Sequence, residues 1–157
     1  MATHAVLLTR TYDETLDMIV EARDYMTDWD KNTAPRLGGT RRLQFCCEAL
    51  RVTSRLTQAL AWLMVQRAVH EGELTLIEAC ENTYRLSGHE VCLNTASAND
   101  NNLPEKLRSL MSRSYRLYNR ISRLEEMVVS RVSAPSHRPF AHGSIKAIGF
   151  LRPPTVS

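Results

Sequence analysis

Apolar and polar positions along the chain resolve into three long stretches of helical period, separated by stretches with none. In the first, Tyr12, Leu16, Ile19, Arg23 and Met26 recur at steps of four and three, a bundle seam interrupted once at Arg23. Thr11 with Glu14 three residues on has capping-box spacing, which predicts the helix start. Asp13, Asp17, Glu21, Asp24 and Asp28 form an acidic stripe beside the seam. Residues 30–40, with Pro35 and the pair Gly38-Gly39, read as a connection.

The second stretch, residues 43–71, dominates the chain. It contains neither Pro nor Gly and is rich in strong helix formers, so it reads as one uninterrupted helix of about 40 Å, capped at Gly72. Gln44, Glu48, Arg51, Arg55, Gln58 and Gln66 fall into one narrow polar stripe. The remaining arc is apolar or small over about 200°, roughly double what a surface helix needs.

Beyond it, Thr75 and Glu78 repeat the capping-box spacing and predict a short helix to about Leu86. Residues 87–102 are rich in Ser, Asn, Asp and Gly and read as a surface loop. Pro104 and Glu105 then suit a helix start. Leu103, Leu107, Leu110, Ser114, Leu117, Ile121, Leu124 and Val128 keep the four-three spacing, predicting a helix to about Val132. Arg113, Arg116, Arg120 and Arg123 run beside that seam. The expected architecture is all-α: an antiparallel three-helix bundle with one extra short helix, over residues 1–132, and a flexible or extended tail, residues 133–157.

Three amphipathic helices cover one face of the central helix but not both flanks of so wide an arc. The simplest solution is a homodimer about a two-fold axis, with Leu50, Leu60, Ala61, Met64 and Ala68 at the interface. The alternative is that the short helix provides the second cover. Trp62, in the polar stripe, and Tyr115, off the seam of the last helix, are aromatics of the kind enriched at partner contacts, unless the short helix or the tail covers them. The tail carries Phe140, Ile148, Phe150 and Leu151, more apolar than a linker needs, which suits a short recognition segment; the alternative is an unselected terminus or one that packs on the body.

Charge and chemistry change this picture little. The net charge of +3 is mild, and no recognition-helix pattern accompanies the arginine stripe, so nucleic acid is not the expected partner. The acidic stripe of the first helix and the arginines of the last are instead expected to face each other and fix register. No Gly-rich phosphate loop or nucleophile elbow is present, and the carboxylates lie on helix faces, so no enzymatic activity and no cofactor are expected. Cys80, His89, Cys92 and His70 lack the paired spacing of a zinc site and read as structural residues. The four cysteines read as reduced. No stretch has the length of a membrane span or a signal-peptide core, so a cytoplasmic location is expected.

Three blocks carry a family resemblance: YDETLDMIVEARDYM (12–26), EALRVTSRLTQALAWLMVQRAVHEGELT (48–75) and LPEKLRSLMSRSYRLYNRISRLEE (103–126). Together they resemble a bacterial family of small helical proteins, that of the regulator of CtrA degradation, RcdA. The resemblance implies a dimeric three-helix bundle with a disordered tail. It also implies a non-enzymatic adaptor that tethers cell-cycle regulators, directly or through a second adaptor, to the ATP-dependent protease ClpXP. It assigns no contact residues. The partner-contact candidates, Trp62, Arg113, Arg116, Arg120, Phe140, Ile148, Phe150 and Leu151, rest on their positions alone. A different reading takes the chain as a nucleic-acid- or regulator-binding module working through Arg113, Arg116, Arg120 and Arg123.

Overall fold

A computed structural model gives the structure and describes residues 2–95 and 101–133. Four α-helices appear: α1 (Ala2–Asn32), α2 (Gly39–Glu71), α3 (His89–Cys92) and α4 (Glu105–Ser133). Single 3-10 turns lie at Ala34–Arg36, Glu78–Cys80 and Asn82–Tyr84, and there is no strand among the described residues. The all-α bundle of three long helices is as expected.

α1 starts well before Thr11. That residue is buried inside the helix, and its carbonyl accepts a 2.7 Å bond from the Thr15 hydroxyl. Such back-bonding satisfies a hydroxyl within a helix, so the apparent cap is not an end. The buried seam is Thr11, Thr15, Met18, Ala22 and Trp29, one position away from the expected one. Tyr12, Ile19 and Met26 pack at its flank and Arg23 stays in solvent. α2 ends as expected at Gly72, whose φ of +79° provides the left-handed cap conformation that glycine adopts without strain.

Contacts fix the helix directions. Trp29 stacks on Phe45 with ring centroids 3.5 Å apart, and Arg67 lies over the Tyr12 ring, so α1 and α2 are antiparallel. Arg113 meets Glu21 at 2.8 Å and Arg120 meets Glu14 at 2.5 Å, so α1 and α4 are also antiparallel. α2 and α4 therefore run the same way, and residues 72–104 must carry the chain back along their length. This connector is not the short helix expected after Thr75. The capping box forms, with the Thr75 N–H donating to Glu78 at 2.8 Å, but only single turns follow. The expected loop beyond it contains α3, whose Cys92 is fully buried.

The connector lies along the α2–α4 groove. Irregular backbone has no internal ladder for its N–H and C=O groups, so the groove must supply partners. That need brings part of the polar stripe of α2 inward, beside the apolar Phe45, Leu56 and Leu63 that are buried as expected. Glu48, Arg55 and Gln66 of the polar stripe are buried, and Gln58 accepts the Ser87 N–H at 3.0 Å. Trp62, seven residues from Arg55 on the same side, is buried too, with 3% of its surface exposed.

Candidate interaction surfaces

With the polar stripe turned inward, the opposite side of α2 is left uncovered. Leu43, Cys47, Leu50, Ser54, Thr57, Ala61, Met64 and Ala68 follow one another at steps of four and three on that side. None carries a charge over a length of about 38 Å. Leu43, Leu50 and Met64 are 65, 67 and 55% exposed. The Ser54 hydroxyl is bonded to the Leu50 carbonyl at 2.9 Å, which leaves that position little unmet polarity. A surface helix normally turns charges, not a leucine–methionine heptad, toward water. Of the expected interface residues, Leu50, Ala61, Met64 and the half-buried Ala68 lie on this face, with Leu60 half-buried at its margin. Leu43, Cys47, Ser54 and Thr57 escaped the sequence reading, although their heptad spacing was there to be read.

The expected pairing of the acidic stripe with the α4 arginines forms in part: of the stripe Glu21 meets Arg113, and the second pair uses Glu14, one position beyond Asp13. Arg113 and Arg120 are engaged by Glu21 and Glu14, while Arg116 and Arg123 stand exposed on the outer edge of α4. Between the pairs lies a shallow cleft with Met18 and Leu117 at its base. Two of the four arginines are thus neutralised within the chain.

Two candidates on aromatic residues move. Trp62 belongs to the hydrophobic core and offers no contact surface; the rule that aromatics near Gln and Arg mark an outer face fails where those polar residues themselves point inward. Tyr115 is half-buried beneath the Arg55 guanidinium, 5.2 Å from its ring centre. Phe140, Ile148, Phe150, Leu151 and the expected tail lie outside the described residues.

A buried polar cluster underlies the connector. Arg55 donates to the carbonyls of Cys92 at 2.7 Å, Asn94 at 2.8 Å and Met111 at 3.0 Å, tying connector to α4 from α2. Burial, then the like charge of Arg51, pushes its guanidinium below the usual range. Glu125 accepts the Leu86 N–H at 2.6 Å, and the Tyr118 hydroxyl donates to the Ser87 carbonyl at 3.1 Å. Tyr118 is pushed up to about 12, chiefly by burial and further by Cys92 and Glu125, and burial also raises the Cys92 thiol. Every member of this cluster is matched to backbone or a neighbour, which is the arrangement of a structural clasp. Among the described residues, no group of three or more His, Cys, Asp or Glu side chains is placed to hold a metal ion. No described helix is long and apolar enough to cross a membrane.

Comparison with known proteins follows these lines. No curated protein matches the chain. Among solved structures, the crystal structure of RcdA from Caulobacter crescentus CB15 is similar at a TM-score of 0.60 and 30% sequence identity, covering 78% of this chain and 90% of that one. The model of the family described as "Protein of unknown function (DUF1465)" matches residues 1–147. The family match over most of the chain and the likeness to RcdA bear out the resemblance of the three sequence blocks: this chain belongs to the DUF1465 family, the family of RcdA.

Proposed function

We propose that this protein is a non-enzymatic adaptor that works as a homodimer and tethers cell-cycle regulatory proteins for degradation by an ATP-dependent protease of the ClpXP type. The observation that carries the dimer is the uncharged heptad face of α2, with Leu50 and Met64 in solvent. A second copy covers that face, and its small central residues Ser54, Thr57 and Ala61 let two helices approach closely. The adaptor role is supported by the likeness to RcdA. An adaptor performs no bond chemistry. It raises the effective concentration of cargo at the protease, which demands two binding surfaces and no reaction centre. The α4 edge with Arg116 and Arg120, beside Arg113, supplies one such surface in this reading, and the tail with Phe140, Ile148, Phe150 and Leu151 another. A cytoplasmic location and a protease-side accessory adaptor belong to the same proposal.

Pulse-chase proteomics of the native cell, with and without this protein, tests the reading. A small set of regulators should lose their rapid turnover when the protein is removed, and regain it with the wild-type chain. Unchanged half-lives across the proteome would overturn the adaptor role. Light scattering of Leu50→Asp tests the dimer separately: the mass should halve. An unchanged dimer mass would exclude this face.

A further inference from the structure

One end of the bundle is incompletely packed. There α1 begins and α2 and α4 both stop. A groove of about 290 Å³ is lined by Leu8, Val69, Leu76 and Val128, with Gln66, His70 and Arg131 around it. Leu7, Ile77 and Met127, the chain neighbours of three of these lining residues, are 44, 72 and 50% exposed. Single exposed apolar residues are ordinary, but a cluster around a groove marks a contact surface. This surface is separate from the outward face of α2.

Three observations indicate the occupant. The described chain ends at this groove: Arg131 lines it and Ser133 closes α4. The residues that follow include Phe140, Ile145 and Ile148, with Arg138 and Lys146 and no acid up to the C-terminus. Because α2 and α4 are parallel, both present their C-terminal carbonyls here, and Glu71 and Glu73 add negative charge. Carbonyl ends of helices favour cations. The family match also continues through residue 147, beyond the end of α4, so the shared pattern is not confined to the bundle.

We propose that this groove is the docking site of the chain's own C-terminal segment, residues 140–148, with its apolar side chains set against Leu8, Val69, Leu76 and Val128. The intervening residues 134–139 span about 20 Å when extended, ample for a groove on the turn from which they depart. Tethering places the segment at an effective concentration in the millimolar range, so a contact too weak to form between separate molecules forms here. Docking does not depend on the adaptor role. If that role holds, any partner that takes the tail must first displace it from the groove, and the contact is autoinhibitory.

The test uses the full-length protein with p-benzoylphenylalanine in place of Phe140, irradiated as a mixture of isotopically labelled and unlabelled chains and mapped by mass spectrometry. Cross-links should fall within single chains, on residues 66–77 and 124–131, and drop several-fold in Leu76→Asp. Leu76 is itself exposed, so that variant should keep its fold, which its helical melting curve verifies. Val128→Arg provides a second substitution from the opposite wall. Cross-links on the outward face of α2, links only between labelled and unlabelled chains, or a yield indifferent to both substitutions in folded protein would overturn the docking. No partner protein enters this experiment, so its failure would leave the adaptor proposal standing.

Discussion

Replacing Arg55 should loosen the connector before it loosens anything else. Arg55 is 2% exposed, and its guanidinium holds three carbonyls, at 2.7, 2.8 and 3.0 Å. Hydrogen bonds to a charged group contribute roughly 1.5–3 kcal/mol each, but a plain sum overshoots, because burying the charge costs several kcal/mol. Removing one member of such a network typically costs about 3–5 kcal/mol, most of it from the groups left unmatched. Arg55→Met retains the bulk and loses every donor, so it should fall in that range. In urea, with a slope of about 2 kcal/mol/M, the midpoint should drop by about 2 M at fixed protein concentration. Arg55→Lys should recover little, since an ammonium cannot match a planar fork that serves three acceptors. Hydrogen exchange should show amides of residues 86–94 opening first. If both variants unfold within about 1 kcal/mol of the parent, the guanidinium is not the tie described here, and packing alone holds the connector.

Other outcomes are equally open to measurement. Tyr118 titrates near 12 in the folded state against 10.0 when free, so its contribution is full below pH 10 and lost as pH rises to 12. Two units correspond to about 2–3 kcal/mol, and phenolate absorbance should show one tyrosine ionising only as the protein unfolds. Glu125→Leu strands the Leu86 N–H in the interior and should cost about 2–4 kcal/mol in a denaturant titration, whereas Glu125→Gln retains an acceptor and should cost about 1. Gly72→Ala meets no atom within 4 Å, so only the left-handed backbone resists it, and the melting curve should report a loss of about 1 kcal/mol. Maleimide should label Cys46 quickly and Cys92 only on the unfolding timescale; equal rates would contradict the burial of α3.

The long helices were legible because their signals are local. Gly72 closes α2, and the Leu107-to-Val128 spacing sets α4, through neighbours a few residues away. The charge pairing of α1 with α4 was legible in sign but only partly in position, since Glu21 belongs to the acidic stripe and Glu14 does not. The inward turn of the polar stripe of α2 was not legible: the apolar Phe45, Leu56 and Leu63 are buried as expected, but the assumption that polar residues seek water failed for Glu48, Arg55 and Gln66. What Arg55 satisfies lies 37 and 39 residues away on a connector whose path no local pattern encodes, and 56 residues away on α4. Trp62 was misplaced by the same inversion. The wide apolar arc is thus split: Phe45, Leu56 and Leu63 are covered, and Leu50 and Met64 are left as the exposed side where the candidate interface lies.

The shared direction of α2 and α4 also bears on synthesis. Only α1 and α2 are joined by a tight turn, so a chain leaving the ribosome completes that hairpin first. α4 can join only after residues 72–104 have travelled back along it. Closing that longer loop costs about 1–2 kcal/mol more than a six-residue turn. Until then α2 lacks the cover that α4 and the connector give it in the folded chain, where Leu56, Ala59 and Trp62 are buried.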